Sequence, residues 1–164
     1  MITAATKSAD DTRDLGAQLA TVARSGDVVL LSGDLGAGKT TFTQGFGRGL
    51  GVTEQITSPT FMLVQTYPGR LQLVHVDVYR LEHLQEIIDL GLPELLDDRS
   101  VALIEWGDEA APVLPAEFLR VRIEFGAADD DRVLHVAPVG LSWGQRAVDL
   151  QGALERWTSG SELA

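Results

Sequence analysis

The chain has 164 residues, a formal net charge of −11 and no cysteine. Its length is typical of one domain with a packed core, and the absence of cysteine excludes disulfides, thiol catalysis and cysteine-ligated metal sites. The acidic balance disfavours unaided binding of DNA or RNA, because such a surface repels a phosphate backbone.

The first segment of the chain carries no targeting signal. Residues 1–6 have neither the basic region nor the apolar segment of a signal peptide, and no apolar run in the chain is long enough to cross a bilayer. We therefore predict a cytoplasmic protein that has no contact with membranes. Residues 8–23 then have the apolar spacing of an amphipathic helix, which Ser8 or Asp10 would cap.

The next segment contains the most specific motif of the chain. Residues 33–40 match the phosphate-binding pattern G-x-x-x-x-G-K-[ST] at every fixed position. A continuous apolar run at 28–31 precedes them, as in a buried parallel strand, and Phe42, Phe46 and Leu50 follow at helical spacing. Strand, loop and helix thus stand in the order that a nucleoside triphosphate site requires.

In such a loop, the backbone N–H groups and the helix N-terminus point at the phosphates. Lys39 would reach the outer phosphates, and the Thr40 hydroxyl would be left for Mg²⁺. Lys39 is one of only two lysines, whereas eleven residues are arginine, so this position favours a compact ammonium group. The candidate phosphate-binding residues are Gly33, Gly36, Ala37, Gly38, Lys39 and Thr40.

The rest of the chain predicts two antiparallel hairpins, one further buried strand and two helices. Together the pattern predicts an α/β fold, a P-loop NTPase-like three-layer sandwich whose mixed sheet is parallel around the loop and antiparallel at its edges, with helices on both faces. We place a single domain at residues 1–157 and expect residues 158–164 to be disordered. The predicted segments are strands at 61–67 and 71–78, a helix at 82–96, a strand at 101–104, strands at 119–125 and 132–137, and a helix at 145–157.

Two carboxylates come directly after apolar strands. Glu105 follows the run 101–104 in the layout of a Walker B strand, with Glu in place of the more common Asp, and Asp77 follows residues 73–76. An acid after a strand can also be an exposed strand terminus or a helix cap. Beside a phosphate loop, which needs an acid for Mg²⁺ and a group that positions water, we expect both to face the nucleotide.

Three further residues have a functional and an ordinary interpretation. Thr60 follows the first helix after the loop, where a switch residue senses the γ-phosphate in many NTPases, but an ordinary turn also fits. His75 shares a strand face with Asp77, so it either contacts the site or is a core histidine. Arg80 is either an internal arginine finger or the partner of surface acids.

In their order along the chain, these motifs resemble the TsaE family, also called YjeE, of small bacterial ATPases needed to make threonylcarbamoyladenosine on tRNA. The resemblance extends from about residue 10 to about residue 136. The phosphate loop alone is shared by many families, whereas the ordered set is specific. The matching motifs are G-D-L-G-A-G-K-T-T at 33–41, S-P-T-F at 58–61, H-x-D-x-Y-R-L at 75–81 and I-E-W at 104–106.

The resemblance implies an ATPase that binds ATP and Mg²⁺. By similarity, the loop from Gly36 to Thr41 holds the phosphates, Thr40 and Glu105 hold the magnesium, and Asp77 is the second carboxylate needed for turnover. It also implies two partner proteins, TsaD, which transfers the threonylcarbamoyl group, and TsaB, its scaffold, with tRNA contacted only indirectly. The turn at 127–131 departs from the family, whose members often carry Gly-Arg there, so no contact between that turn and the nucleotide base is predicted.

Two other classes of function stay open on the residues alone. A small-molecule kinase of the P-loop type is the main alternative, although such kinases usually close an arginine-rich lid over their substrates, and only Arg80 and Arg99 follow Asp77 in a mainly acidic and apolar stretch. A nucleotide-binding module that does not hydrolyse is the other, and the presence of Lys39, Thr40 and both carboxylates argues against it.

Overall fold

The computed structural model describes residues 1–34, 36–57, 64–77, 99–105 and 117–158. Within these ranges the chain forms seven strands and four helices, and none of the helices is long and apolar enough to span a bilayer. In chain order the elements are β1 (Ile2–Thr6), α1 (Ala9–Ala20), β2 (Val28–Gly33), α2 (Lys39–Gly49), β3 (Val64–Tyr67), β4 (Gln72–Asp77), β5 (Ser100–Glu105), β6 (Phe118–Phe125), β7 (Arg132–Val139), α3 (Leu141–Gly144) and α4 (Ala147–Thr158).

All seven strands belong to one sheet, in the order β1-β7-β6-β2-β5-β4-β3. The strand β2, which leads into the phosphate loop, lies at its centre and is parallel to both neighbours, β5 and β6. β4 is parallel to β5, whereas β3 pairs with β4, β7 with β6 and β1 with β7 in the antiparallel sense. The predicted mixed sheet, parallel around the loop and antiparallel at its edges, is therefore confirmed.

The sheet separates two apolar clusters because successive side chains of a strand point to opposite faces. Residues from all four helices pack with one face, which includes Val29 and Leu31 of the central strand. Val28 and Leu30 belong to the cluster on the other face. The structure thus confirms helices on one face of the sheet. The helix predicted at 82–96 lies outside the described residues, so helices on the other face stay a prediction.

Most predicted elements within the described residues are confirmed, but the strand β1 and the short helix α3 were missed. The helix α1 begins after the predicted cap Ser8, whose hydroxyl accepts a hydrogen bond of 3.0 Å from the Asp11 N–H. The missed strand, β1, is only five residues long and includes two alanines, so its local pattern is weak, and it forms by pairing with β7. At the C-terminus α4 includes Thr158, one residue beyond the predicted domain end, and residues 159–164 lie outside the described ranges.

A buried ion pair holds the start of β2. Arg146 is 1% exposed and donates two hydrogen bonds, of 2.6 and 2.9 Å, to the carboxylate of Asp27, the residue before β2. Its guanidinium also lies 3.7 Å from the ring centroid of Trp143 and donates to the carbonyl of Val22. Since each charged group is hydrogen-bonded, the pair connects the C-terminal helices to the central strand without leaving a buried charge alone.

Glycines let α1 and α2 pack with their backbones in near contact. A Cβ atom on Gly16 would lie 2.7 Å from the carbonyl oxygen of Phe42, and one on Gly45 would overlap the backbone of Arg13. Gly49 is packed in the same way against Ala17. Because α2 begins at the end of the phosphate loop, this packing determines where the loop lies.

We predict that Gly45→Ala lowers the free energy of unfolding by about 1–3 kcal/mol, because the new methyl group must push the two helix backbones apart. The matched control is Gly152→Ala on α4, where a Cβ has no atom within 4 Å. That change should raise the free energy of unfolding by about 0.5–1 kcal/mol, as alanine favours a helix interior over glycine. Urea denaturation measures both, and a Gly45→Ala protein as stable as wild type would contradict the close packing.

Candidate nucleotide-binding site

The phosphate loop connects the end of β2 to the start of α2, and its glycines permit that sharp connection. A Cβ on Gly33 would lie 2.8 Å from the carbonyl oxygen of Ile123 on β6, so only glycine fits beside that strand. Gly36 and Gly38 have φ angles of 81° and 104°, in the left-handed region that disfavours other residues. Leu35 lies outside the described residues. The loop motif thus has the backbone geometry that its glycines predict.

The N-terminus of α2 has no side-chain cap. Its N-cap residue is Gly38, no side chain accepts a hydrogen bond there, and the first turn contains no acidic residue. By contrast, α1 begins with a Ser8 cap and carries Asp10 and Asp11 in its first turn. The first N–H groups of a helix need an acceptor and favour negative charge, so the start of α2 is suited to an anion. Lys39, Thr40 and Thr41 form this first turn, and each is partly buried.

An arginine far along the chain holds the loop from the other side. Arg132, the first residue of β7, donates from Nε to the Ala37 carbonyl at 2.9 Å and from Nη2 to the Gly36 carbonyl at 3.4 Å. Sequence reasoning missed this residue. The available signal was its position directly after the acidic turn 127–131, at the start of the second strand of a predicted hairpin. The acidic turn itself is therefore followed by a cation that contacts the loop.

The two predicted carboxylates lie side by side. Asp77 and Glu105 are directly opposite each other in the parallel pair β4–β5, and they are 5% and 3% exposed. Glu105 is also opposite Leu31 of β2, two residues before the first glycine of the loop. Strand alternation points both carboxylates to the face that α2 covers. The structure therefore brings the phosphate loop and two buried acids together at the C-terminal ends of the parallel strands.

Two side chains from different elements surround the Glu105 carboxylate. The Thr43 hydroxyl lies 3.2 Å from its Oε1 and 2.8 Å from the Lys39 carbonyl, so one hydroxyl hydrogen serves two acceptors. The His75 Nε2 atom lies 3.1 Å from the same Oε1, but the angle does not make a hydrogen bond, and neither ring nitrogen has such a partner. Thr43 was missed by sequence reasoning, although its position four residues after Lys39 places it on the same side of α2.

His75 combines the two interpretations that its position allowed. It is fully buried, as a core histidine would be, and it also contacts the site through Glu105. Thr60 and Arg80 lie outside the described residues, so their predicted roles stay predictions. Among the described residues, no three His, Asp or Glu side chains are grouped as the ligands of a metal ion.

Comparison with known proteins agrees with this geometry. The family model described as "Threonylcarbamoyl adenosine biosynthesis protein TsaE" matches residues 6–134. A tRNA threonylcarbamoyladenosine biosynthesis protein TsaE of Streptomyces coelicolor is 48% identical over 134 residues, which are 79% of this chain and 90% of that protein. The Bacillus subtilis protein of the same name is 44% identical over 136 residues, 82% of this chain and 84% of that protein.

A solved structure is similar as well. The crystal structure of Bacillus subtilis YdiB superposes with a TM-score of 0.77 at 36% sequence identity, covering 92% of this chain and 94% of that one. The similarity therefore covers most of the chain and is not limited to the phosphate loop. With the family match across most of its length and several relatives above 40% identity, the chain belongs to the TsaE family.

Proposed function

We propose that this protein binds ATP, hydrolyses it with Mg²⁺, and uses this turnover in the threonylcarbamoyladenosine modification of tRNA. The observation that carries the proposal is the position of two buried carboxylates, Asp77 and Glu105, near the phosphate loop. The helix that follows this loop has no side-chain cap. The family supplies the pathway, since its curated members are named for threonylcarbamoyladenosine biosynthesis. The loop and the acids supply the reaction class.

Phosphate binding is supported by the local charge at the loop. The chain as a whole is strongly acidic, yet Lys39 begins α2 and Arg132 contacts the loop carbonyls. These two cations and a helix N-terminus without a side-chain cap all favour an anion at this point. Arg132 donates to the carbonyl oxygens of Ala37 and Gly36, so its positive charge lies beside the loop backbone.

The donors at the site fit magnesium. Mg²⁺ prefers oxygen ligands and is usually held by one or two protein groups together with phosphate oxygens and water, so it does not need a cluster of acids. The Thr40 hydroxyl and the Glu105 carboxylate would hold it, and when bound it would neutralise charge that develops on the transferred phosphoryl group. The unpartnered ring nitrogens of His75 beside Glu105 are also expected of a site that gains water or ligand atoms on binding.

We assign to Asp77 the task of acting on water, as the resemblance implies. Its carboxylate is buried next to Glu105, at the same strand edge, so it can accept a hydrogen bond from a water molecule near the γ-phosphate. Holding that water in line with the phosphorus is the main contribution that a side chain makes to phosphoryl transfer. Glu105 and Asp77 thus have separate tasks, one in metal binding and one in turnover.

The partners would be TsaD and TsaB, which we infer from the resemblance and from charge. With a net charge of −11 the chain is poorly suited to hold tRNA, so RNA contact should come from partner proteins. An ATPase of this kind acts by resetting a partner complex, and we expect its hydrolysis to be slow alone.

Lys39→Ala should weaken ATP binding about 10- to 100-fold and abolish hydrolysis, because the loop loses the ammonium group beside several phosphate charges. The matched control is Arg48→Ala, which removes a cation from the other end of the same helix, where it pairs with Asp14 at the surface. Calorimetric titration with a nonhydrolysable ATP analogue measures the affinity. Wild-type affinity in a folded Lys39→Ala protein would remove the loop from the nucleotide site.

Glu105→Gln and Asp77→Asn should fail in different ways. Glu105→Gln loses a metal ligand, so it should weaken Mg²⁺-dependent binding of the ATP analogue on the order of 10-fold, with little change when Mg²⁺ is absent. Asp77→Asn loses the group that positions water, so it should leave binding of the analogue intact and reduce turnover about 10²- to 10⁴-fold. Titrations with and without Mg²⁺, combined with phosphate-release assays, separate the two. The reverse pattern would exchange the roles, and two active mutants would exclude both residues.

The partner proposal predicts that ATP hydrolysis rises when the cognate TsaB–TsaD pair is added and stays at its basal rate with tRNA alone. The reason is that ordering of the site by a protein surface makes turnover conditional. Phosphate release should be measured for the chain alone, with the pair, and with tRNA, together with multiple-turnover formation of threonylcarbamoyladenosine. Stimulation by tRNA alone would contradict the proposal, and transfer of phosphate to a small acceptor would favour the kinase.

A further inference from the structure

Phe125 is a half-exposed aromatic ring at the edge of the phosphate loop. It is the last residue of β6, and 53% of its surface is exposed. β6 runs parallel to β2 with Ile123 opposite Gly33, so Phe125 lies two residues beyond the point where the loop leaves the sheet. Since Val121 and Ile123 belong to the cluster that α1 and α2 cover, alternation puts the Phe125 ring on the side of the loop.

Arg132 connects this ring to the loop. The two residues are directly opposite each other in the pair β6–β7, and the guanidinium carbon lies 4.9 Å from the ring centroid. The same guanidinium donates to the loop carbonyl of Ala37 at 2.9 Å, and to the carbonyls of Asp129 and Asp131 at 2.6 and 2.8 Å. The position of the ring relative to the loop is therefore set by one well-bonded side chain.

The two sides of β2 differ in chemistry. On the β5 side lie the carboxylates Glu105 and Asp77, which suit the metal and the terminal phosphate. On the β6 side lie the Phe125 ring and Arg132. A phosphate chain held in the loop with its terminal end towards the acids has its other end towards Phe125. In a nucleotide, only a ribose separates that end from the base.

We propose that the exposed face of Phe125 is the stacking platform for the base of the nucleoside triphosphate, and that Arg132 holds the ring in register with the loop. The proposal rests on the proposed nucleotide binding and adds the base subsite to it. Aromatic rings stack on bases through their π-faces, which every base has, so this contact adds affinity for nucleotides without choosing among the bases. Specificity for adenine would then require other groups.

The test compares ligands with and without a base. Phe125→Ala and Phe125→Leu should bind ATP and GTP analogues about 5- to 100-fold more weakly, and tripolyphosphate with Mg²⁺ within about twofold of wild type. Phe125→Trp should bind nucleotides about as tightly as wild type, because it keeps an aromatic π-face at this position. The matched control is Leu141→Ala, which removes an exposed apolar side chain, 73% exposed, from α3. This helix follows the C-terminal end of β7, and the opposite end of β7 lies beside the loop.

Thermal melting establishes whether each variant is folded. If Phe125→Ala does not fold, the comparison is made with Phe125→Leu. Unchanged affinity for ATP in both Phe125→Ala and Phe125→Leu would overturn the platform while leaving nucleotide binding in place. An equal loss for ATP and tripolyphosphate would overturn it too, because the ring would then act only through the loop. Failure of the wild-type protein to bind either ligand would instead overturn the proposed function, and the platform with it.

Discussion

The near contact of the α1 and α2 backbones is the constraint on which the rest of the site depends. A phosphate loop can bind only if its strand and its helix are both held, since the loop itself contains three glycines with little conformational preference. Gly45 and Gly49 let α2 lie directly against α1, and Phe42 and Phe46 fill the space towards the sheet. The helix N-terminus is thereby fixed at one distance from the end of β2.

The central strand is held at its other end by charge. Asp27 directly precedes β2, and its bond to the buried Arg146 connects the strand to the C-terminal helices. Breaking such a pair from one side leaves a buried charge alone, which is costly, so this connection resists local opening. The strand that presents the loop is thus anchored by a hydrogen-bonded ion pair at its start and by helix packing at its end.

The parallel arrangement around β2 divides the site into two sides with different chemistry. Oxygen donors lie towards β5 and β4, and a cation with an aromatic ring lies towards β6 and β7. An elongated ligand with a phosphate end and an apolar end fits this division, because each end meets groups of the complementary kind. The acidic balance of the whole chain is consistent with the same view. Lys39 and Arg132 bring two cations to the loop, although the chain as a whole has a net charge of −11.

The sequence by itself determined the loop, its helix and the mixed sheet, because these features depend on consecutive residues. Residues 33–40 carry the whole loop motif, and the helix α2 ends where Gly51, with a φ of 85°, terminates the apolar spacing. Both hairpins followed from pairs of strand-like runs separated by turn residues. The two acids were located because each stands at the end of an apolar strand of its own.

Only the tertiary structure decided which distant side chains complete the site. Thr43 meets Glu105 across 62 residues of sequence, and Arg132 meets Ala37 across 95. Such contacts depend on strand order and register, which a local pattern does not encode, since a shift of one residue in β7 would turn Arg132 to the other face. β1 is a strand for the same reason. Its five residues are too few to give a clear local pattern, and β7 supplies the hydrogen bonds that order them.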